Sequence, residues 1–314
     1  QMCIRDSSKS DANIYWKNLI DINDRVTAFA DLQVRSVKYA ASGADDDVGA
    51  FSFSQNNVFF NPKAGVTYRV NQKDKVFISY AVGHKEPNRT DLIYADPNDL
   101  PRPEKLQDFE FGYEYGSENF SFMGNAFYMF YTDQLVLTGQ LDNVGYPIRK
   151  NIGKSYRIGV ELAMSWQPLE WLKWSPNVAY IQSQNLDYVE ESGNGEVKAL
   201  GNTSIAYSPN TVFSSTLEFY PIKGLTLGVF SQYVSRQYLN NSEVERLSLD
   251  PYFLNSFRVS YDYKPSWIGN IRLYASVNNA FNVSYANNGY VWGTSPYYYP
   301  QAGINFLGGI ELSF

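Results

Sequence analysis

The chain is poor in the residues that most often carry chemistry. Its 314 residues include one cysteine, Cys3, and one histidine, His84. A single cysteine excludes a disulfide-stapled scaffold. A single histidine argues against a His-rich metal centre and against a Ser-His-Asp hydrolase. Charge is scarce as well. Only 18% of residues are charged, where an ordinary soluble domain has about a quarter. The net charge of −6 argues against a nucleic-acid groove, which needs clustered Lys and Arg. Long apolar runs are missing too, and a bundle of membrane helices needs several of about 20 residues. From Leu273 to Ile310 no residue is charged, but Asn278, Asn279, Asn282, Asn287, Asn288, Gly289, Pro296 and Pro300 interrupt the stretch. It reads as strand, long loop, strand.

Aromatic residues are abundant instead. Phe, Trp and Tyr make up 17% of the chain, with 26 Tyr, and hydrophobic residues reach 44%, too many for a disordered polypeptide. The dominant pattern has period two, the mark of a strand with one apolar and one polar face. Ala64, Val66, Tyr68 and Val70 oppose Lys63, Thr67 and Arg69. Phe109, Phe111, Tyr113 and Tyr115 oppose Asp108, Glu110 and Glu114. Ile158, Val160, Leu162, Met164 and Trp166 oppose Arg157, Glu161 and Ser165. Phe257, Val259 and Tyr261 oppose Arg258, Ser260 and Asp262, and in the last strand Ile304, Phe306, Ile310, Leu312 and Phe314 share one parity.

Connections alternate in length. Short polar turns fall at Asp21–Asp24, Asn71–Asp74, Gly116–Asn119, Gln167–Glu170, Pro221–Gly224 and Lys264–Gly269. Between them lie long segments at Ala41–Asn56, His84–Glu104, Asp133–Lys150, Asp187–Pro209, Asn240–Asp250 and Phe281–Gln301. The strands between are roughly 10–16 residues long, beyond the usual mode of about 5–6. Long strands, alternation and one-sided loop lengths point to an all-β antiparallel transmembrane barrel, with short periplasmic turns, longer extracellular loops and a polar lumen. In hydrocarbon every backbone N–H and C=O must pair within the protein, and only helices and closed barrels manage that. Trp166, Trp171, Trp174, Tyr220 and Trp267 flank short turns, where interfacial girdles belong. A soluble β-sandwich is the alternative, with shorter strands and no alternation of loop length.

The first residues, QMCIRDS, share no pattern with the rest of the chain and lack the apolar stretch of a signal peptide. Residues 1–10 are expected to be a non-native or disordered leader, resembling translated sequencing adapter, and residues 11–314 the barrel.

Several segments resemble one known family, the TonB-dependent outer-membrane receptors. NPKAGVTYRV and KVFISYAVGHKEPN match a Pro-x-x-Gly-x-x-Tyr element and a Ser-Tyr-x-x-Gly-x-x-x-Pro element through Pro62, Gly65, Tyr68, Ser79, Tyr80, Gly83 and Pro87. RPEKLQDFEFGYEY is similar to a strand start carrying Pro103, Glu104, Glu110 and Gly112. NIGKSYRIGVEL resembles an Asn-x-Gly…Gly-x-Glu strand through Asn151, Gly153, Gly159 and Glu161. NNAFNVSY resembles an Asn-x-Phe-Asn-x-x-Tyr signature, and the last strand resembles the terminal signal read by the barrel-assembly machinery, through Ile310, Leu312 and Phe314. Pro101, Ile304 and Leu307 depart from the family pattern.

The resemblance implies a barrel of about 22 strands around an N-terminal plug. About twelve strands are counted here and no plug, so the chain is expected to be the C-terminal part of the barrel. With the partner of the last strand absent, an open, curved sheet is expected, with unpaired edges at the last strand and near Arg25–Lys38; a closed twelve-strand barrel is the alternative. The parent's implied activity is TonB-dependent uptake of a scarce ligand across the outer membrane of a Gram-negative bacterium, most readily a ferric siderophore. Cobalamin, haem or oligosaccharide receptors remain alternatives, as do a passive porin and, more remotely, an outer-membrane enzyme such as a phospholipase. The implied partners are TonB, through the plug, outer-membrane lipid, the assembly machinery and the ligand. The fragment alone is expected to be inactive, and no catalytic constellation, cofactor or resident metal is expected.

Candidate ligand contacts are loop residues with charge or a stacking face. His84, Lys85 and Arg89 are positioned to attract an anionic chelate, or form a solvated loop. Trp292, Tyr297, Tyr298 and Tyr299 are positioned to stack on a flat partner, or pack on one another. Asp45, Asp46 and Asp47 offer oxygens of the kind Ca²⁺ takes, or form a solvated tip. Arg69, Glu110, Glu114, Arg157, Glu161, Arg258 and Glu311 fall on the lumenal parity, to contact a plug or simply hold water.

Overall fold

The computed structural model describes residues 5–45, 48–95, 98–141, 145, 147–191, 197–265 and 269–313. The strands are β1 (Arg5–Asn23), β2 (Val26–Asp45), β3 (Gly49–Arg69), β4 (Asp74–Lys85), β5 (Glu104–Gly116), β6 (Phe120–Thr132), β7 (Leu135–Leu141), β8 (Pro147–Asn151), β9 (Lys154–Leu169) and β10 (Leu172–Glu191). They continue with β11 (Val197–Ser204), β12 (Thr211–Phe219), β13 (Leu225–Val234), β14 (Gln237–Tyr238), β15 (Ser248–Leu249), β16 (Tyr252–Tyr263), β17 (Asn270–Asn278), β18 (Ala286–Trp292), β19 (Ser295–Pro300) and β20 (Asn305–Ser313). One short helix, α1 (Arg89–Ile93), lies between β4 and β5. Among the described residues no helix is long and apolar enough to cross a membrane, which says nothing of strands.

Fourteen strands form one antiparallel sheet, in the order β1-β2-β3-β4-β5-β6-β9-β10-β12-β13-β16-β17-β20, with β11 paired to β10 beside that path. The sheet does not close, because β1 and β20 are its two edges. The open sheet expected from the sequence is what forms, not the closed twelve-strand barrel.

Two details correct the expectation. The first edge is β1, not the strand around Arg25–Lys38, which lies between β1 and β3. β1 also begins at Arg5, inside the segment read as leader, and runs in register with β2 from Arg5↔Gly43 to Asp21↔Thr27. Its first residues are polar, so no apolar alternation marks them. What aligns them is the ladder, reinforced where Lys9 reaches Glu86 and Asp11 reaches Arg35.

Register turns the alternation into two faces. Ile20, Ala28, Val66, Ile78, Phe111, Ala126, Val160 and Tyr180 stand opposite one another in turn across eight neighbouring strands. Ile78, Phe111, Val160 and Tyr180 in that row are exposed. On the opposite face, Arg69, Lys75 and Glu114 are partners across β3, β4 and β5. A one-residue slip would exchange the faces, so the pattern itself specifies register.

Short turns lie together along one side of the sheet, at 24–25, 70–73, 117–119, 170–171 and 220–224. Side chains close two of them. Asn23 Oδ1 accepts from Arg25 N at 2.9 Å and Val26 N at 3.0 Å. Asn71 Oδ1 accepts from Lys73 N at 2.8 Å and Asp74 N at 3.0 Å. This is the Asx turn, which suits Asn because its amide replaces a backbone acceptor.

At the other edge the long segments hold much regular structure. Ala41–Asn56, a loop by its sequence, is mostly the paired ends of β2 and β3, with Asp45↔Gly49 the last pair. Asp187–Pro209 likewise contains the end of β10 and β11, in register up to Glu191↔Val197. Three further hairpins, β7–β8, β14–β15 and β18–β19, and helix α1 fill the remaining long connections.

Candidate functional site

The long-loop edge is where the molecule builds something beyond the sheet. Helix α1 begins at a capping box. Asn88 Oδ1 accepts from Asp91 N at 2.9 Å, and Asp91 Oδ2 accepts from Asn88 N at 2.9 Å. Two donors that a helix start leaves unpaired are thereby satisfied. Leu92 and Ile93 bury themselves against Ala41 and Phe53, with Tyr39 and Phe51 at the margin. Those β2 and β3 residues share the parity of Asp31, Gln33 and Arg35, so α1 lies over the polar face. From β8, Arg149 reaches Asp91 at 3.5 Å.

Just before α1, Glu86 is held by Arg35 through two bonds, Nη1 to Oε2 at 3.0 Å and Nη2 to Oε1 at 2.9 Å. The same guanidinium also holds Asp11, through Nε at 3.0 Å and Nη2 at 2.6 Å. Lys9 adds a bond of 3.2 Å to Glu86. Burial by itself would raise the Glu86 carboxyl, but a bond from its own backbone and those from Arg35 and Lys9 outweigh it and hold the group below its ordinary value.

A second assembly lies further along. Leu239, Leu247, Leu249 and Val291 form a buried core with Tyr207, Val244 and Ala286 around it. Asn241 ties its own loop to two others at its margin. Its Nδ2 donates to the Leu137 carbonyl at 2.9 Å, while its Oδ1 accepts from Ala206 N at 2.9 Å and from Asn185 Nδ2 at 3.3 Å. Ser242 donates to Glu190, and Glu243 Oε1 accepts from Ser204 N at 2.6 Å. Tyr207 donates to the Gly289 carbonyl at 3.1 Å, and burial pushes its hydroxyl up to about 12.

The loops also reach one another across the sheet. β7 packs against β18, β15 against β18, and α1 against β8. β10, β12, β13 and β16 separate the parents of β7–β8 from those of β18–β19. At about 4.8 Å per strand that is roughly 24 Å of sheet. The loops therefore form one continuous cap rather than separate excursions.

The motif residues prove to be braces of this cap. Asn151 accepts from Arg102 N at 2.8 Å and donates to the carbonyls of Arg102 at 3.0 Å and Asp133 at 2.6 Å. Glu104 Oε2 accepts from Leu135 N at 3.0 Å, fixing the start of β7. Asn279, nearly buried with φ +47°, donates to the Val283 carbonyl at 2.8 Å and accepts from Val283 N at 2.9 Å. Asn282, at φ +52°, accepts from Ile304 N at 3.0 Å. Asn tolerates this left-handed region better than most residues.

The matching glycines have another reason. Gly65, Gly112 and Gly159 stand directly across from Phe29, Phe77 and Phe127, and a Cβ on any of them would strike that ring. Each ring lies over bare backbone on the polar face.

The chain matches the family model for the TonB dependent receptor-like β-barrel over residues 4–280. It belongs to that family. No curated protein matches it. Among solved structures, this receptor barrel is similar to the siderophore receptor PiuA from Acinetobacter baumannii, with 17% identity, 98% of this chain and 43% of that chain covered, and a TM-score of 0.78. It is similar to the ferric yersiniabactin uptake receptor FyuA from Yersinia pestis at 17% identity, with 98% and 46% covered and a TM-score of 0.75. The ferric-catecholate import receptor Fiu from E. coli K12 matches at 15% identity, with 99% and 45% covered and a TM-score of 0.77. The chain thus spans less than half the length of each. At these identities the likeness is one of fold, and it agrees with a partial barrel.

The residues that the receptor's sequence marks as candidates are distributed over both edges and the polar face. His84 and Lys85 end β4 rather than lying in a loop. His84 stacks on Phe59 at 5.3 Å with Nδ1 2.8 Å from Asn61 Oδ1, and Lys85 pairs with Glu104 at 3.4 Å. Arg89 opens α1 with a buried Nε that has no bonding partner. His84 and Lys85 are thus held by different partners. Trp292, Tyr297, Tyr298 and Tyr299 do come together on the β18–β19 hairpin. Of the Asp45–Asp47 triplet, Asp46 and Asp47 lie outside the described residues, as do Trp267 and Phe314.

Arg69, Glu110, Glu114, Arg157, Glu161, Arg258 and Glu311 all occupy the polar face. Glu114 pairs with Lys75 at 2.8 Å, and Glu311 lies 3.8 Å from Arg272. Arg69 donates to the Asp24 carbonyl at 3.2 Å. Arg157 lies over Tyr131 and Arg258 over Phe230, each at 5.3 Å. Glu110 and Glu161 are register partners of Ser79 and Asn125. Ile310 and Leu312 are exposed on the apolar parity of the edge strand β20.

Sequence reading does not single out Arg35, Glu86, Asn241 or Tyr290. Their roles come from partners 24 to 104 positions away or, for Tyr290, from a hairpin register. No local pattern encodes either.

Proposed function

We propose that this chain is the C-terminal part of an outer-membrane receptor barrel and that the whole protein takes up a scarce ligand, a ferric siderophore, in a TonB-dependent way. The observation that carries the reading is the unbroken exposed apolar row opposed by charged residues on the other face. Such a row is stable only against acyl chains, while its neighbours face a wet lumen. The short-turn edge is then periplasmic and the loop cap extracellular. The names of the similar structures, with their siderophore, ferric yersiniabactin and ferric-catecholate receptors, support a ferric ligand.

In this reading the cap and the upper surface of a plug hold the ligand. TonB, driven from the inner membrane, remodels the plug. The polar-face charges Arg69, Glu110, Glu114, Arg157, Glu161, Arg258 and Glu311 meet the plug, and Ile310, Leu312 and Phe314 serve the assembly machinery as the terminal signal. The barrel half supplies wall and loops and does no covalent chemistry, so the fragment alone transports nothing.

The test is accumulation of radiolabelled ferric chelates by a Gram-negative host stripped of its own receptors and expressing the full-length receptor that carries this chain. Uptake is expected in the presence of TonB and absent in its deletion. Equal uptake without TonB would instead identify a passive channel.

A further inference from the structure

The apolar face of the sheet changes character toward the long-loop side. Lys105, Thr132 and Lys154 are successive register partners on β5, β6 and β9. Phe111, Ala126 and Val160, from the apolar row, are successive partners on the same three strands. Six residues separate each member of the first trio from its own strand's member of the second. An even separation keeps both trios on one face. Two lysines therefore stand on the parity that, lower down, carries the exposed Phe109, Tyr128 and Ile158. Their chain neighbours turn the other way. Glu104 reaches Lys85 and accepts from Leu135 N, and the buried Ser155 donates to Gln134 Oε1 at 2.6 Å.

A lysine on a lipid-facing parity is strongly unfavourable at the bilayer midplane and tolerated at the interface. The pair thus marks where the apolar band ends. Just beneath it the Tyr80 hydroxyl donates to Gln107 at 3.0 Å and the Tyr156 hydroxyl to Gln184 at 2.8 Å. Tyr80 lies 4.5 Å from Phe109, and Tyr128 6.2 Å from Tyr156, so the rings make a continuous floor, as interfacial aromatics do. The register neighbours of the lysines on this face are His84 and Thr132, with Gln107, Phe130 and Tyr156 one step below, and none is acidic. Among the described residues neither lysine holds a carboxylate. Two ammonium groups above an apolar floor are left to an anion from outside the protein. Two strand spacings put their backbones about 10 Å apart, the width of a disaccharide.

Resting on the orientation given in the uptake reading above, with the long loops outside, we propose that Lys105, Thr132 and Lys154 bind a bis-phosphorylated glycolipid of the outer leaflet. Each ammonium takes one phosphate as a point charge. The Thr132 hydroxyl meets the sugar between them, and the acyl chains run down over Phe109, Tyr128 and Ile158. One molecule then matches both halves of the face, its charged head on the lysines and its chains on the rings. A phospholipid with a single phosphodiester occupies one position and leaves the second ammonium without a counter-charge.

The experiment uses the full-length receptor carrying this chain, delipidated in detergent micelles, with three probes: a bis-phosphorylated disaccharide lipid, its singly phosphorylated form and phosphatidylglycerol. Native mass spectrometry counts the lipid each sample retains. The bis-phosphorylated lipid is expected to be held in preference to the other two. Combining Lys105→Gln with Lys154→Gln should lower its affinity by about tenfold or more. Combining Lys105→Arg with Lys154→Arg should keep it, which separates lost charge from lost folding, and circular dichroism checks the strand content of each variant. A glutamine variant that binds like the parent, or phosphatidylglycerol held as firmly as the glycolipid, would overturn the proposal. In either case TonB-dependent uptake would persist, so the uptake reading would stand. Uptake that does not need TonB would sink that reading alone, because a passive channel in the same orientation presents the same lysines to the same leaflet.

Discussion

At the scale of single residues, the glycines of the polar face show how closely side chain and backbone are matched. Gly112 is buried, and Phe77 from the neighbouring strand covers it. A methyl group there has no room, because both the ring and the ladder beneath it are fixed. Gly112→Ala is expected to destabilise the barrel by about 1–3 kcal/mol, the usual cost of overpacking, measured by urea unfolding in micelles. Adding Phe77→Ala should recover much of that loss, since it removes the obstacle. If the double variant is no more stable than Gly112→Ala, the ring is not what excludes the methyl group. Sequence inspection locates these glycines only through their family spacing. The ring that requires each one sits on another strand, and nothing beside the glycine names it.

At the scale of elements, the segment between β4 and β5 hangs on the contacts of Glu86 with Arg35 and Lys9. The carboxyl is held below its ordinary value. Linkage fixes the sign: a carboxylate with a lowered folded pKa contributes stability above its unfolded pKa and loses it as pH falls through the folded one. Protection of residues 86–95 from hydrogen exchange should therefore be full at neutral pH and decline below about pH 4, where carboxylates protonate. Glu86→Gln should show weak protection at every pH, with β9 and β10 unchanged. A flat pH profile in the parent protein would remove Glu86 from this role. Elements differ in how legible they are in the sequence. The period-two runs mark β5, β9 and β16 within a few residues, because one face of each meets a different medium from the other. The ends of β2 and β3 look like loop in the sequence, because there the parity of the apolar row carries Ser52, Ser54 and Asn56, while Phe51 and Phe53 lie on the other face under α1.

At the scale of the whole molecule, the apolar row behaves as a single object that crosses eight strands. Val160 lies within it, and Glu161, its neighbour, faces the other way. Val160→Arg is expected to destabilise folding into lipid vesicles by about 2–4 kcal/mol near the bilayer midplane. Glu161→Arg, one residue along, should cost far less, since a lumenal side chain stays hydrated. The comparison is read as the folded fraction of each variant in vesicles. Equal losses would mean that the row does not face lipid. The open edges β1 and β20 fit the coverage of less than half of each similar structure. An unpaired edge is unfavourable in hydrocarbon.

The sequence by itself determined the class of fold, the antiparallel order of neighbours and the side of the sheet each residue takes. Those properties rest on a two-residue period and on turn length, both local, and both arise from one face meeting an apolar medium. Only the tertiary structure decided which strand forms the first edge, that the long segments join into one cap, and that Asn241 and Arg35 secure it. It also decided that the aromatic face of the β18–β19 hairpin stays open. Pairings between residues dozens of positions apart depend on which loops the sheet brings within reach of one another, and that geometry exists only once the strands have paired.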